Sequence, residues 1–214
     1  MRVGLATPGA RGRGATLIEF ALALLLGLMP MVLGILQVAA LLVAKNTLNL
    51  ATFMAARQGS VLGADPGAMQ RELARALVPL YVRSSRDGVA PADTVAAAYA
   101  AALIDVEALD SLVVLNPTRA DLARLAELRN GSRVIPNDSI EFRSAEARAA
   151  NVLTIQVVHC QPLVVPLVGP ALAAALTWLD SDPRHQRCLA VGRAPIVARA
   201  SLVMQSDVHA DALR

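Results

Sequence analysis

Aromatic side chains are scarce in this chain, with one Trp, two Tyr and three Phe among 214 residues. Single-stranded nucleic acid is held by stacking bases on aromatic rings along a basic groove, and the rings are largely missing. The basic groove is missing too. Of 20 Lys and Arg, three (Arg2, Arg11 and Arg13) precede the first apolar run, leaving 20 − 3 = 17 to balance the 17 Asp and Glu. The net charge of +3 is therefore a property of the N-terminus, and no nucleic-acid partner follows from it.

Cysteine and histidine are also few, at two and three residues. That count excludes a disulfide-dense scaffold and any multi-cysteine zinc module, leaving Cys160 and Cys188 as one pair. No P-loop or dinucleotide fingerprint occurs. Ser181 and His185 lie near Asp180 and Asp182, but no G-x-S-x-G elbow presents a nucleophile. Asp105, Glu107 and Asp110 lack the glycine turn and closing glutamate of a calcium loop, so they read as a solvated helix face. There is no internal repeat. Neither an enzyme nor a cofactor or metal site is expected.

Apolar residues are abundant, at 55% against 17% charged. Much of the excess lies between Ala15 and Ala44, where Lys and Arg are absent and Glu19 and Gln37 are the only strongly polar side chains. About 30 helical residues at ~1.5 Å each exceed one hydrocarbon core, so one transmembrane helix is expected. The leading arginines favour a cytoplasmic N-terminus, with Lys45 and Arg57 as competing cations. A secretory signal fits poorly, because its apolar region spans about 7–15 residues. Pro30 removes the hydrogen bond to the Leu26 carbonyl and predicts a kink.

Glu19 is costly in such a run, at about 2.5–3.5 kcal/mol near a helix centre and less toward the ends. Its surroundings, "RGRGATLIEFAL", give a basic leader, the small residue Gly14, then Ala15, and an acid at the fifth apolar position. This resembles the type IV prepilin processing signature. It is more closely similar to the TadE/TadG-like minor pilins of tight-adherence (Tad) pilus systems, with Ala15 where common type IV pilins carry Phe. The stretch "QVAALLVAKNTLNLATFMAARQG" resembles the second half of the TadE-like segment. Looser likenesses continue in "VLNPT", "LTIQVVHCQPLVVPLV" and "APIVARASLVMQS".

The resemblance implies a leader, residues 1–14, removed by a prepilin peptidase between Gly14 and Ala15. It implies that Glu19 meets the new α-amine of a neighbouring subunit during assembly. The implied partners are other pilins through the N-terminal helix, the prepilin peptidase and the inner-membrane pilus machinery. The implied location is the bacterial inner membrane with a periplasmic C-terminal domain, and the extracellular pilus after assembly. The alternative is a permanently anchored single-pass envelope protein with a periplasmic interaction domain, in which Glu19 snorkels at the membrane edge.

The expected architecture is α+β: a transmembrane and spine helix over residues 15–58, then a head over 59–214 with helices and a small, mainly antiparallel sheet. Leu48, Thr52, Ala55 and Ala56 fall on one stripe of the spine, and Gly59 is placed to cap it. Residues 67–85 and 92–109 carry helical apolar spacing through Met69, Leu73, Leu77 and Leu80, then Val95, Tyr99, Leu103 and Val106. Thr118 and Asp121 predict a capped helix with Leu122, Leu125 and Leu128 as its stripe. "SLVVLNPT", "GSRVIPNDSIEF", "NVLTIQVVHC" and "APIVARASLVMQS" each predict a strand. The apolar segment "PLVVPLVGPALAAALTWLD", with its three prolines, predicts a proline-broken connector into a short core helix ending near Trp178, with a second membrane span as the alternative. A Cys160–Cys188 disulfide is expected in an oxidising compartment. Zinc bound with His159 and His185 competes, although adjacent strand residues such as His159 and Cys160 point to opposite faces.

Overall fold

The apolar run forms a helix from Arg13 to Val61, made of α1 (Arg13–Ala23), a π-helical stretch at Leu24–Leu28 and α2 (Met29–Val61). This computed structural model describes residues 13–82, 92–129, 131–138 and 143–210. The leader up to residue 12 and most of the loop "SSRDGVAPAD" lie outside the described residues. Pro30 accounts for the π stretch. Its ring crowds the carbonyl four residues back in a regular α-helix. Just before it, Met29 N–H donates to the Leu24 carbonyl, an i→i+5 closure that widens the backbone where the ring must fit.

The two halves of this helix meet different surroundings. Residues 16–32 are exposed throughout. From Gln37 onward one face is buried, through Ala44, Leu48, Ala51, Thr52, Ala55, Ala56, Gly59 and Ser60. Mostly small residues at three- and four-residue steps let neighbouring backbones approach closely. At Gly59 a Cβ would stand 2.4 Å from Met69 Sδ and 2.8 Å from Leu153 Cδ2. Gly59 is thus a packing contact inside the helix and not its cap. The turn is made at Gly63, whose φ of +65° suits glycine and where a Cβ would meet the Asp207 carbonyl at 2.8 Å.

Helix α3 (Pro66–Tyr81) starts at Asp65, whose carboxylate accepts from the Gly67 and Ala68 amides, and packs along α2. Its Met69, Leu73 and Leu77 are buried, the amphipathic stripe that the spacing predicts. Helix α4 (Ala92–Ala108) covers α3. Strands β1 (Leu112–Asn116), β4 (Val152–Pro162) and β5 (Arg193–Val203) form an antiparallel sheet in the order β1-β4-β5. β4 and β5 pair in unbroken register from Val152↔Val203 to Pro162↔Arg193. Leu153, Ile155 and Val157 on β4 join Leu48, Met69 and Leu73 in the main core. Val158 and Cys160 belong to a second cluster with Cys188.

A smaller antiparallel sheet is made by β2 (Glu127–Arg129), β3 (Ser132–Ile135) and β6 (Val208–His209). Helix α5 (Arg119–Leu125) begins with the full Thr118–Asp121 capping box. It ends before Leu128, which is exposed on β2, so that residue is not part of the helix stripe. The short helix α6 (Ala145–Ala150), capped by Ser144, leads into β4. The chain is α+β with mainly antiparallel pairing, as the pattern predicts. One element departs from expectation. Helix α7 (Val168–Leu179) buries only Gly169, and Trp178 is 93% exposed, so it is a surface helix and not a core helix. It is followed by α8 (Pro183–Ala190), which starts at the Asp182 cap.

Candidate functional site

Three places concentrate chemistry. The first is the exposed apolar helix. The helix backbone already begins at Arg13, so the Gly14–Ala15 bond falls in its first turn. Glu19 lies four residues after Ala15, hence on the same helical face, and its side chain is exposed. No ion pair among the described residues engages it. Leu17, Ile18, Phe20, Leu25 and Leu26 around it are exposed as well. The helix from Thr16 to Val61 is long and apolar enough to cross a membrane, with a mean hydropathy of 2.3 in its most apolar window.

The second place is where that helix enters the head. Gln37 is buried, and its Oε1 accepts from Val165 N–H at 3.0 Å. Two turns on, Lys45 Nζ donates to the Val197 carbonyl of β5. Both residues look like interruptions of an apolar run when read in sequence. In the fold they fasten the spine to the strand pair.

The third place is a polar cluster under α4. Tyr81 Oη donates to Asp105 Oδ2 at 2.8 Å, and Arg193 donates to the same oxygen at 3.0 Å. The Tyr81 ring meets the His159 ring edge-on, with centroids 6.0 Å apart. Burial, then the hydrogen bond to Asp105, pushes the Tyr81 phenol well above its usual range. Burial likewise lowers the His159 pKa, against the opposing pull of a hydrogen bond with Gln161 and the Asp105 charge. Both groups are therefore neutral near neutral pH. Asp105 is a hub for an arginine and a phenol here, not one of three carboxylates facing an ion. Among the described residues no group of three or more His, Cys, Asp or Glu is placed to hold a metal.

Cys160 and Cys188 are joined by a disulfide with a Cα–Cα distance of 5.1 Å, so neither sulfur is a thiolate ligand. His185, the other candidate beside them, pairs through Nδ1 with Asp180 Oδ2 at 2.6 Å. A cavity of about 490 Å³ opens beside β1, lined by Pro66, Gln70, Asp110, Leu112, Thr118 and Arg184 among others. It brings no nucleophile–base pair together.

Sequence reading did not foresee the Tyr81–Asp105–Arg193 cluster. Its members are 24 and 88 residues apart, and only the packing of α3, α4 and β5 unites them.

Residues 14–57 match the family model described as TadE-like protein. The matched stretch runs from the exposed helix to the buried face of the spine and leaves most of the head outside it. No curated protein and no solved structure matches the chain. The TadE-like segment supports a component of a Tad pilus, and such components are structural rather than an enzyme family.

Proposed function

We propose, with the TadE-like segment at residues 14–57 as the premise, that this chain is a minor pilin or pseudopilin of a Tad-type pilus. It inserts with its N-terminus in the cytoplasm and its head in the periplasm. A prepilin peptidase cuts between Gly14 and Ala15, and the trimmed helix then associates with other pilins. The observation that carries this reading is an apolar helix, exposed along residues 16–32, that holds one carboxylate a single turn after the proposed new terminus.

The chemistry is a matched pair of charges. Cutting before Ala15 creates an ammonium at a helix N-terminus, where the backbone dipole is unfavourable to a cation. Glu19 of a neighbouring helix offsets that charge, and the ammonium offsets the cost of holding Glu19 among apolar side chains. The head, with its own core and its apolar spine shared with the membrane helix, is carried along as the part presented outside the membrane for anchoring or adhesion.

N-terminal sequencing of the mature chain, from cells that hold the matching peptidase, is expected to begin at Ala15. Replacing Gly14 by a bulky or charged residue is expected to leave the chain inserted but uncut. An uncut wild-type chain in those cells would instead establish a permanent single-pass anchor.

A further inference from the structure

Strand β4 runs antiparallel to α2, and three contacts fix that alignment. Leu153, at the start of β4, lies against Gly59 near the end of α2. Val158 is paired with Val197, whose carbonyl receives Lys45. Val165, just past the end of β4, bonds Gln37. The end of the sheet at Pro162 and Arg193 therefore sits level with the point where the spine leaves the head. The stretch before it, residues 16–36, none of it buried, is roughly 30 Å long at ~1.5 Å per residue, the thickness of one hydrocarbon core.

The connection between β4 and β5 emerges at that same level. It starts on the α2 side through Val165. It finishes on the opposite face of the sheet, where α8 is tied to Cys160 by the disulfide and Gln186 bonds the Thr177 and Asp180 carbonyls. Helix α7 touches α2 and α8, so it crosses the end of the sheet rather than continuing along it. Residues 163–179 contain no Asp, Glu, Lys or Arg. Val164, Leu167, Trp178 and Leu179 are 72%, 78%, 93% and 83% exposed. An uncharged apolar surface of this kind marks a contact site. Tryptophan favours the lipid–water interface, and Trp178 lies at the far end of this uncharged segment, next to Thr177, whose carbonyl meets α8.

We propose that residues 163–179 form a second membrane contact, lying in the headgroup–acyl boundary of the leaflet from which the spine emerges. The occupant of this face is lipid because the face is level with the outer end of the membrane span. This rests on the reading that residues 16–36 cross the bilayer. Charge adds little selectivity, since Asp180 and Asp182 offset Arg184 and Arg187, so zwitterionic lipid is sufficient. Helices lying in the interface bury an apolar face about 5–10 Å into the headgroup–acyl boundary; here the charges lie just beyond the apolar segment, at Asp180, Asp182, Arg184 and Arg187.

Trp178 is the only tryptophan in the chain, so its fluorescence reports this site alone. The full chain is reconstituted into phosphatidylcholine vesicles containing lipids brominated at either shallow or deep acyl positions, with iodide as the aqueous quencher. Trp178 is expected to be quenched more by shallow than by deep bromine, with iodide access reduced several-fold relative to a free tryptophan amide. Full iodide access with no quenching by either lipid overturns the proposal. Shielding from iodide without lipid quenching, lost on dilution into more lipid, also overturns it and assigns the face to a second copy. A Trp178→Phe, Leu26→Trp chain, with its reporter at the middle of residues 16–36, separates the two readings. Strong quenching of this reporter by deep bromine establishes the span whatever Trp178 does. If deep bromine leaves it unquenched, the span reading fails and this inference falls with it.

Discussion

Single residues carry the sharpest tests. In the proposed pairing, Glu19→Leu removes a charge that costs about 2.5–3.5 kcal/mol or less in lipid, so insertion and cleavage are expected to persist or improve. Assembly is expected to fail, because one-sided loss of a buried ion pair costs about 3–5 kcal/mol. The measurement is recovery of the processed variant with sheared pili or with other minor pilins. Wild-type recovery would leave Glu19 as a residue at the membrane edge. His159 offers a second test. Its pKa is lowered in the folded chain, chiefly by burial, whereas the unfolded ring takes a proton below about pH 6.5. The unfolded state thus binds more protons just below that pH. Stability is complete above about pH 6.5 and is lost as the pH falls toward the folded-state pKa. Thermal unfolding of the full chain in detergent is expected to show this fall, and His159→Phe, which keeps a ring beside Tyr81, is expected to flatten it. Asp121, Asp138 and Asp180, all lowered by hydrogen bonds, act in a more acidic window, below about pH 4. A wild-type profile flat across the histidine window would remove this role from His159.

Among the elements, the disulfide has a definite mechanical task. Cys160 lies near the end of β4 and Cys188 lies on α8, at a sequence separation of 28. The bond closes the excursion that carries α7, and in the chain-entropy account a loop of this size contributes roughly 3–4 kcal/mol. Cys160→Ala with Cys188→Ala is expected to lower the unfolding midpoint and to speed proteolysis within residues 163–192 before the sheet opens. Equal protection with and without the bond would show that α8 holds by packing alone. Which elements were legible follows from their local chemistry. β4 announces itself by alternation, α3 by its stripe, and α5 by the Thr118–Asp121 box. α6 and α8 are short, at six and eight residues, so periodicity has no room to appear. Their signals were the caps Ser144 and Asp182, the latter followed by Pro183 at the first helical position. The two-residue β6 has no local signal, since its pairing is set by Gly63 and β3. The sequence of α7 points to the core because apolarity records dislike of water without saying what replaces it. Gly59 is ambiguous in sequence for a related reason: a glycine after an apolar stripe marks either a stop or a close contact, and only Met69 and Leu153 decide between them.

For the whole molecule, one long helix is both an exposed apolar helix, long enough to cross a membrane, and a core helix, and its burial begins near Gln37. The core cluster contains Ala44, Leu48, Ala51, Ala55 and Ala56 together with residues of α3, β1, β4 and β5. Removing the spine would therefore strip one wall from the main core. Truncating one buried leucine to alanine alone costs about 2–5 kcal/mol, and whole domains are stable by only about 5–15 kcal/mol. A chain of residues 36–214 keeps every one of these contacts, including the Gln37–Val165 and Lys45–Val197 bonds, and is expected to unfold cooperatively. A chain of residues 59–214 loses them and is expected to show no cooperative transition, with raised binding of a hydrophobic dye. Both are compared in the same mild detergent, so that the apolar face of α7 is covered equally. Circular dichroism on heating gives the reading. A cooperative transition in the shorter chain would make α3, α4 and the sheet a self-sufficient core, and would move the head's boundary back to the end of the spine.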